Sequence, residues 1–259
     1  MKDDFSPEAR AMVIGGSDAG TILGLNPYEL PIELYMKKKG LVEPDEETLP
    51  MTVGKELESL TIRLYSAKTG IGSIFVTEEP IQYHRTRAWM IGHIDGLVTG
   101  DGQQWGLECK TANPFQIKLY GEEGTDQIPA SYIAQVQHYM ALYPDLPFFD
   151  VAVLFGNSKF KIYTVQRNQE MIDVLMEKEL EFYNGLVNNQ PPSLEGHYDT
   201  KAAEKFLKWR YPVDSGEIIE VEPEGQLGNL IYCLRDRRRE LSRIEMIDLE
   251  LVNKIKEKM

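Results

Sequence analysis

Cysteine is scarce in this chain. Of 259 residues only two are cysteines, Cys109 and Cys233, far apart and neither in a Cys-x-x-Cys pair. That excludes a disulfide-stapled scaffold and a zinc ribbon. Two thiols also cannot furnish the four ligands of an iron–sulfur cluster. Free thiols fit a reducing compartment, and the expected location is the cytoplasm. Long apolar runs are missing as well. The uninterrupted stretch Val151 to Phe155 is far shorter than the roughly 20 residues that span a bilayer. The opening Met-Lys-Asp-Asp-Phe lacks an apolar signal region, and there is no internal repeat or low-complexity segment. Positive charge is in short supply too. Lys and Arg number 28 against 41 Asp and Glu, a formal net charge of -13. On charge alone that balance argues against a nucleic-acid partner. The expectation is a soluble, intracellular, acidic protein with no membrane partner, long enough to build a core without staples.

What is present is an alternation of helical and extended patterns, which predicts an α/β (α+β) domain. Ala11 to Ile14 leads into Gly15-Gly16-Ser17-Asp18, where Ser17 reads as the N-cap of a short helix through Leu23. Pro31 opens a second helix that should stop at Gly40. Residues 43–50 read as an acidic loop. A longer helix follows, with Val53, Leu57, Leu60 and Leu64 expected on its buried face. Strands are expected at Ile74–Thr77, Trp89–Val98, Trp105–Thr111, Phe149–Phe155 and Phe160–Val165, with a turn at Gly100-Asp101-Gly102. Pro129–Leu142 and about Gln169–Val187 are helical. The run Asn188 to Pro192 marks the expected boundary between a domain over 1–192 and a helical extension over 193–259. In that extension two heptad series interleave: Leu227, Leu234, Leu241 and Ile255 with Leu230, Ile244 and Leu251. Arg237 and Asp248 interrupt them, and the pattern predicts a long amphipathic helix or short coiled coil.

The chemistry centres on Asp95 followed by Glu108-Cys109-Lys110. Strand alternation puts Glu108 and Lys110 on one face, with Leu107 and Cys109 on the other. A tight turn between adjacent strands would bring Asp95 to the same place. Two carboxylates can hold a hard divalent cation such as magnesium, which keeps several of its waters. A neighbouring lysine can position or deprotonate an attacking water, or steady charge on a phosphate. The plain alternative is a surface salt bridge among charged strand residues. Glu58, one helical turn beyond Gly54, and the polar stripe Ser131, Gln135 and His138 could join the site or simply face solvent. Arg10 and Ser17, either side of Gly15-Gly16, could grip a terminal phosphate; an ordinary cap and a surface arginine are the alternative. His93, near Asp95, could touch a phosphate or hydrogen-bond the aspartate. The run Arg235 to Arg239 reads as a solvated helix face, and Cys109 as a buried small hydrophobe.

Together these motifs carry a resemblance. Arg10-x6-Ser17, Gly54-Lys55-x-x-Glu58, Asp95-Gly96, Glu108-x-Lys110 and Tyr132-x-Ala134-Gln135-Val136-Gln137 stand in the order found in the YqaJ-type viral recombinases. These are the phage λ-exonuclease-like branch of the PD-(D/E)XK nucleases, and the resemblance covers about residues 8 to 190. It implies a central mixed β-sheet flanked by helices on both faces. It implies that Asp95, Glu108 and the backbone carbonyl of Cys109 ligate magnesium, with manganese a possible substitute. Lys110 would be the catalytic lysine, Glu58 would serve a second metal or the attacking water, and Gln135 would support the centre. Arg10 and Ser17 would hold the 5′-phosphate end, with His93 against the DNA. The implied activity is a metal-dependent 5′→3′ exonuclease on linear double-stranded DNA in phage or prophage recombination. A single-strand annealing protein would be its partner, and a homotrimer its assembly. Three features depart from the pattern. His93, two residues before the aspartate, stands where the λ enzyme carries a serine. Ile94-Asp95 replaces the hallmark Pro-Asp, and the segment after about residue 195 has no counterpart in the short λ-type enzymes.

Two other functions fit parts of the sequence. Gly15-Gly16-Ser17-Asp18-Ala19 is a near miss to a serine-hydrolase nucleophile elbow, with Ala19 in place of the second glycine. A decayed nuclease fold could also bind DNA ends or serve assembly without catalysis; the intact Asp95, Glu108 and Lys110 argue against it.

Overall fold

The computed structural model describes residues 12–42, 48–71, 74–75, 81–197, 200–211 and 220–258. The chain divides into two compact units, 1–210 and 211–259. The first carries helices α1 (Gly16–Ile22), α2 (Pro31–Lys38) and α3 (Leu49–Thr69), then strands β1 (Ile74–Phe75), β2 (Gln82–Tyr83), β3 (Ile91–Gly92), β4 (Gly96–Gly100) and β5 (Gln103–Ala112). A 3-10 turn at Pro114–Leu119 leads to α4 (Ala130–Leu142), β6 (Phe148–Phe155), β7 (Lys159–Gln166), α5 (Gln169–Asn188) and α6 (Lys201–Arg210). The second unit contains α7 (Gln226–Lys258). Among the described residues no helix is long and apolar enough to cross a membrane.

The main sheet runs β1-β4-β5-β6-β7. Only β5 and β6 pair in parallel; the other neighbours are antiparallel, so the sheet is mixed and lies in an α/β domain. The parallel step needs a crossover, which α4 supplies. The β4–β5 turn is a two-residue hairpin in which Asp101 and Gly102 both take positive φ, at 50° and 78°. Asp-Gly satisfies that backbone with little strain.

The two sheet faces are distinct. Phe149, Val151 and Val153 of β6 join Val136 and Met140 of α4 in the largest core cluster. On the opposite face Ile62 and Tyr65 of α3 pack on Val98, Trp105, Leu107 and Ala152. The expected buried stripe of α3 is therefore rotated. Thr61, Ile62 and Tyr65 are the buried residues, and Val53 is exposed. A polar anchor explains the rotation. Tyr65 Oη donates to Asp150 Oδ2 at 2.5 Å and accepts from Trp105 Nε1 at 3.0 Å. Trp105 Nε1 also donates to Asp150 Oδ2 at 3.1 Å and Thr164 Oγ1 to Asp150 Oδ1 at 2.7 Å, so the buried carboxylate is satisfied from α3, β5 and β7.

A third cluster joins Ile32, Tyr35 and Met36 of α2 to Phe182 and Leu186 of α5 and to Leu194, Ala203 and Phe206. Residues beyond Pro192 thus contribute to the core of the first unit, which runs to Arg210. Two local expectations change. The N-cap of α1 is Gly15, two residues before the expected Ser17, and the third helical residue reaches back to it: Asp18 Oδ2 accepts from the Gly15 N–H at 2.9 Å. The extended run from Trp89 to Val98 is broken at His93-Ile94-Asp95, between β3 and β4. Residues 76–77 of the first expected strand and 43–47 of the acidic loop lie outside the described residues.

Candidate active site

The break before β4 is what delivers Asp95. Its Oδ2 accepts a hydrogen bond from the Cys109 N–H at 2.7 Å, tying the start of β4 to β5. The antiparallel register sets Gly96 opposite Leu107, so the preceding aspartate arrives beside Glu108. Alternation in β5 then sorts the side chains. Trp105 and Leu107 enter the α3 layer, while Glu108 and Lys110 both bond to Gln135 on α4.

Gln135 acts as a two-ended clamp. Its Oε1 accepts from Lys110 Nζ at 2.9 Å, and its Nε2 donates to Glu108 Oε1 at 2.7 Å and to Tyr139 Oη at 3.0 Å. Lysine offers only donors, so the amide must present its oxygen there and its nitrogen to the carboxylate. Lys110 Nζ also donates directly to Glu108 Oε1 at 2.7 Å and lies 5.0 Å from the centre of the Tyr132 ring. The other carboxylate oxygen, Glu108 Oε2, is buried and has no hydrogen-bond partner among the described residues.

Burial dominates the electrostatics. It raises the Asp95 carboxyl to about 6; the Cys109 N–H opposes the rise and the Glu58 carboxylate adds to it. Glu108, only 3% exposed, is raised to about 7 by burial and then by the charge of Asp95, against the pull of Lys110. Burial works to lower Lys110, but the charge of Glu108 and its hydrogen bond outweigh that, so the ammonium is held above its ordinary range. Two carboxylates that resist ionisation beside one persistent cation mark a site built for something other than stability.

These groups line a cleft of about 540 Å³, which also takes Gly54, Lys55 and Glu58 from α3 and Thr111 from β5. Glu58 therefore stands in the same cleft as Asp95, Glu108 and Lys110. The helix passes close to β5 here: a Cβ at Gly54 would lie 3.4 Å from Thr111 Oγ1, an ordinary contact distance. His93 is exposed in the break before β4, within electrostatic reach of Glu108. Ser17 is exposed as the second residue of α1. It is helical, so the strained strand-to-helix elbow of a serine hydrolase is not formed there. Arg10 lies outside the described residues.

The polar stripe expected on α4 splits into different roles. Gln135 faces the cleft groups, whereas His138 is buried against Glu179 of α5. Four contributors were given no role from the sequence: Lys55 and Tyr132, which appeared only as motif letters, and Tyr139 and Thr111. Tyr132, Gln135 and Tyr139 stand at i, i+3 and i+7, so helical spacing from Gln135 would have found both tyrosines. Tyr139 is seated by Gly16, where a Cβ would meet its ring at 2.4 Å. Gly16→Ala is expected to cost about 1–3 kcal/mol through overpacking, read as a lower urea midpoint. An unchanged midpoint would show that the ring has room to move.

The residues that can hold a divalent cation are Asp95 and Glu108, with Glu58 in the same cleft. Among the described residues no group of three or more His, Cys, Asp and Glu stands close enough to hold a metal ion. Two carboxylates suit a small hard ion that keeps part of its water, and the unpartnered Glu108 oxygen is the atom such an ion would satisfy.

Residues 7–142 match the family model described as the YqaJ-like viral recombinase domain. Over 250 residues the chain is 32% identical to the uncharacterized protein YqaJ of Bacillus subtilis (strain 168), spanning 95% of this chain and 75% of that protein. The fold is similar to that of an alkaline exonuclease, LHK-Exo from Laribacter hongkongensis. The TM-score is 0.53, with 21% identity over 76% of this chain and 96% of that one. LHK-Exo in complex with dAMP gives the same TM-score at 20% identity, over 79% and 96% of the two chains. The family model takes in Asp95, Glu108, Lys110 and Gln135 together, and the chain belongs to the YqaJ-like viral recombinase family.

Proposed function

We propose that this protein is a magnesium-dependent deoxyribonuclease that digests linear double-stranded DNA from its ends, 5′→3′, in the cytoplasm of a host carrying a phage or prophage. Manganese would be a possible substitute for magnesium, and the single strands produced would pass to an annealing protein. The observation that carries this reading is the buried, unpartnered Oε2 of Glu108 beside Asp95 and a charged Lys110. Asp95, Glu108 and the Cys109 carbonyl would hold the ion, with Glu58 serving a second ion or the attacking water. Bound there, the metal supplies a Lewis acid and a more acidic water.

The chain's own groups do the rest. Lys110 is kept protonated by Glu108, so its role is to steady negative charge on the scissile phosphate rather than to accept a proton. Gln135 fixes both Lys110 and Glu108, which keeps the charge in place without reorganisation. Arg10 and Ser17 would receive the 5′-phosphate, and His93 would meet the backbone near the scissile bond. The net charge of -13 does not forbid this. Part of the acidic excess sits in the cleft itself, where divalent ions would offset it. DNA held away from the cleft should bind weakly and be readily displaced by salt.

A time course on end-labelled linear duplex, with and without magnesium, tests the proposal. Digestion should need the metal, stop with EDTA, spare closed circles and release label from the 5′ end first. EDTA-resistant digestion, or cutting of circles, would overturn it. A 5′-phosphorylated end should be digested faster than a 5′-hydroxyl end, and Arg10→Ala should erase the difference. Equal wild-type rates on both ends would remove Arg10 and Ser17 from the site.

A further inference from the structure

The long helix α7 has no buried residue along its 33 positions, a span of about 50 Å. Its apolar stripe is interrupted at Arg237 and Asp248. Leu227, Leu230, Leu234, Leu241, Ile244, Leu251 and Ile255 are each more than half exposed. With Leu227 at heptad position a, the a series reads Leu227, Leu234, Leu241, Asp248, Ile255. The d series reads Leu230, Arg237, Ile244, Leu251, Lys258. Asp248 is the one charge inside the a series and Arg237 the one inside the d series, and the two are opposite; Lys258 closes the d series at the end of the helix.

That placement selects a partner. In an antiparallel pair of identical helices an a residue of one copy lies opposite a d residue of the other. Centre the two-fold axis between Ser242 and Arg243. Leu230 then meets Ile255, Leu234 meets Leu251, Leu241 meets Ile244, and Arg237 meets Asp248. Every interior layer is apolar or a matched charge pair, and each occurs twice by symmetry. At the ends Leu227 meets Lys258, whose aliphatic stem covers it. On one flank Ile231 falls beside Val252 and Arg238 beside Glu245; on the other Cys233 falls beside Lys254 and Glu240 beside Ile247.

The alternatives are penalised. A parallel pair sets Arg237 against Arg237 and Asp248 against Asp248, both in the seam. An antiparallel slip by one heptad sets both charges against leucine or isoleucine. Arg237 Nη1 already pairs with Glu240 Oε2 of its own helix at 2.9 Å, so it would enter the seam with one carboxylate and gain a second.

We propose that α7 is a self-association element, forming a two-stranded antiparallel coiled coil with α7 of a second copy of this chain. The Arg237–Asp248 pair sets direction and register. This does not depend on the activity assigned to the cleft.

The experiment is a charge swap in the full-length chain, followed by sedimentation equilibrium at micromolar concentration. Arg237→Asp sets like charges opposite each other and should raise the dissociation constant about 100-fold, the scale of losing a close charge pair. Arg237→Asp with Asp248→Arg restores the pairing only in the antiparallel register, and should return the constant to within about tenfold of wild type. A mass unaffected by the single variant, or a double variant no tighter than the single one, overturns the proposal. Orientation is read by Lys254→Cys, which sets the new thiol beside Cys233 of the other copy. That variant should oxidise to a covalent dimer. Cys233 of the wild type should not, because its two copies would lie about 28 Å apart along the axis. Wild-type crosslinking through Cys233 would show a parallel pair and overturn the proposal.

Discussion

Asp95→Asn is expected to lower digestion of linear duplex DNA on the order of 10³-fold while leaving the metal-free fold as stable as wild type, or more so. Asparagine keeps the side chain's shape and can still accept the Cys109 N–H that Asp95 accepts at 2.7 Å. What it removes is a negative charge that the fold holds at a cost. Burial raises Asp95 to about 6 and Glu108 to about 7. A carboxyl raised in the folded state adds stability below its unfolded pKa and loses it as pH rises through the folded value. For this pair that window runs from about 4 to about 7. Above it both groups are ionised against the fold's preference, and the Asp95 share is about 3 kcal/mol.

The measurement is a pair of thermal unfolding curves for each protein, without metal and with millimolar magnesium, at pH 5 and pH 8. Metal-free Asp95→Asn should match or exceed wild type at pH 8 and have no advantage at pH 5. Magnesium should raise the wild-type midpoint at pH 8 far more than at pH 5, since the ion binds the deprotonated pair. The variant should respond weakly at both. A variant that digests DNA at the wild-type rate would end the assignment of Asp95. One less stable than wild type at pH 8 would show that its charge is not strained in the fold.

Much of this site was legible because its parts sit on regular periods. Glu108 and Lys110 share a strand face by alternation, and Asp101-Gly102 declares the hairpin that sets Asp95 beside them. The order of weak motifs then pointed to the family. Side-chain pairings across sequence distance were not legible. Nothing local to Tyr65 announces Asp150, 85 residues on, yet that bond turns α3 so that Thr61 and Tyr65 face inward and Val53 does not. The break at His93-Ile94-Asp95 was hidden for a related reason. Its residues read as strand, and only the competing pairings of β3 with β2 and β4 with β5 divide them. Polar residues on α4 were hardest to read, because a helix covered on several sides shows no solvent face for them to mark.

His138 is the sharpest case, and breaking its pair should have the largest effect on stability. His138 and Glu179 are both fully buried, joining α4 to α5 through an Nδ1–Oε1 contact of 2.7 Å. The other ring nitrogen, Nε2, lies 2.8 Å from the Ile91 carbonyl oxygen of β3. A carbonyl only accepts, so Nε2 must carry a proton. A carboxylate only accepts as well, so Nδ1 carries one too whenever Glu179 is ionised. Burial works to lower the imidazole pKa, but the charge and hydrogen bond of Glu179 and the Ile91 carbonyl outweigh it and raise it. A raised histidine stabilises the fold fully below its unfolded pKa of about 6.5 and loses that contribution as pH climbs through the folded value. Glu179→Ala should cost about 3–5 kcal/mol, since it strands the ring without its counter-charge. Glu179→Gln should cost about 1 kcal/mol, because the amide can donate to the Nδ1 of a neutral ring. Urea unfolding at pH 6 and pH 9 separates the terms. The wild type should weaken between the two pH values, and Glu179→Gln should not show that loss. Equal midpoints for wild type and Glu179→Ala at pH 6 would show that the pair is spectator to the fold rather than the joint between α4, α5 and β3.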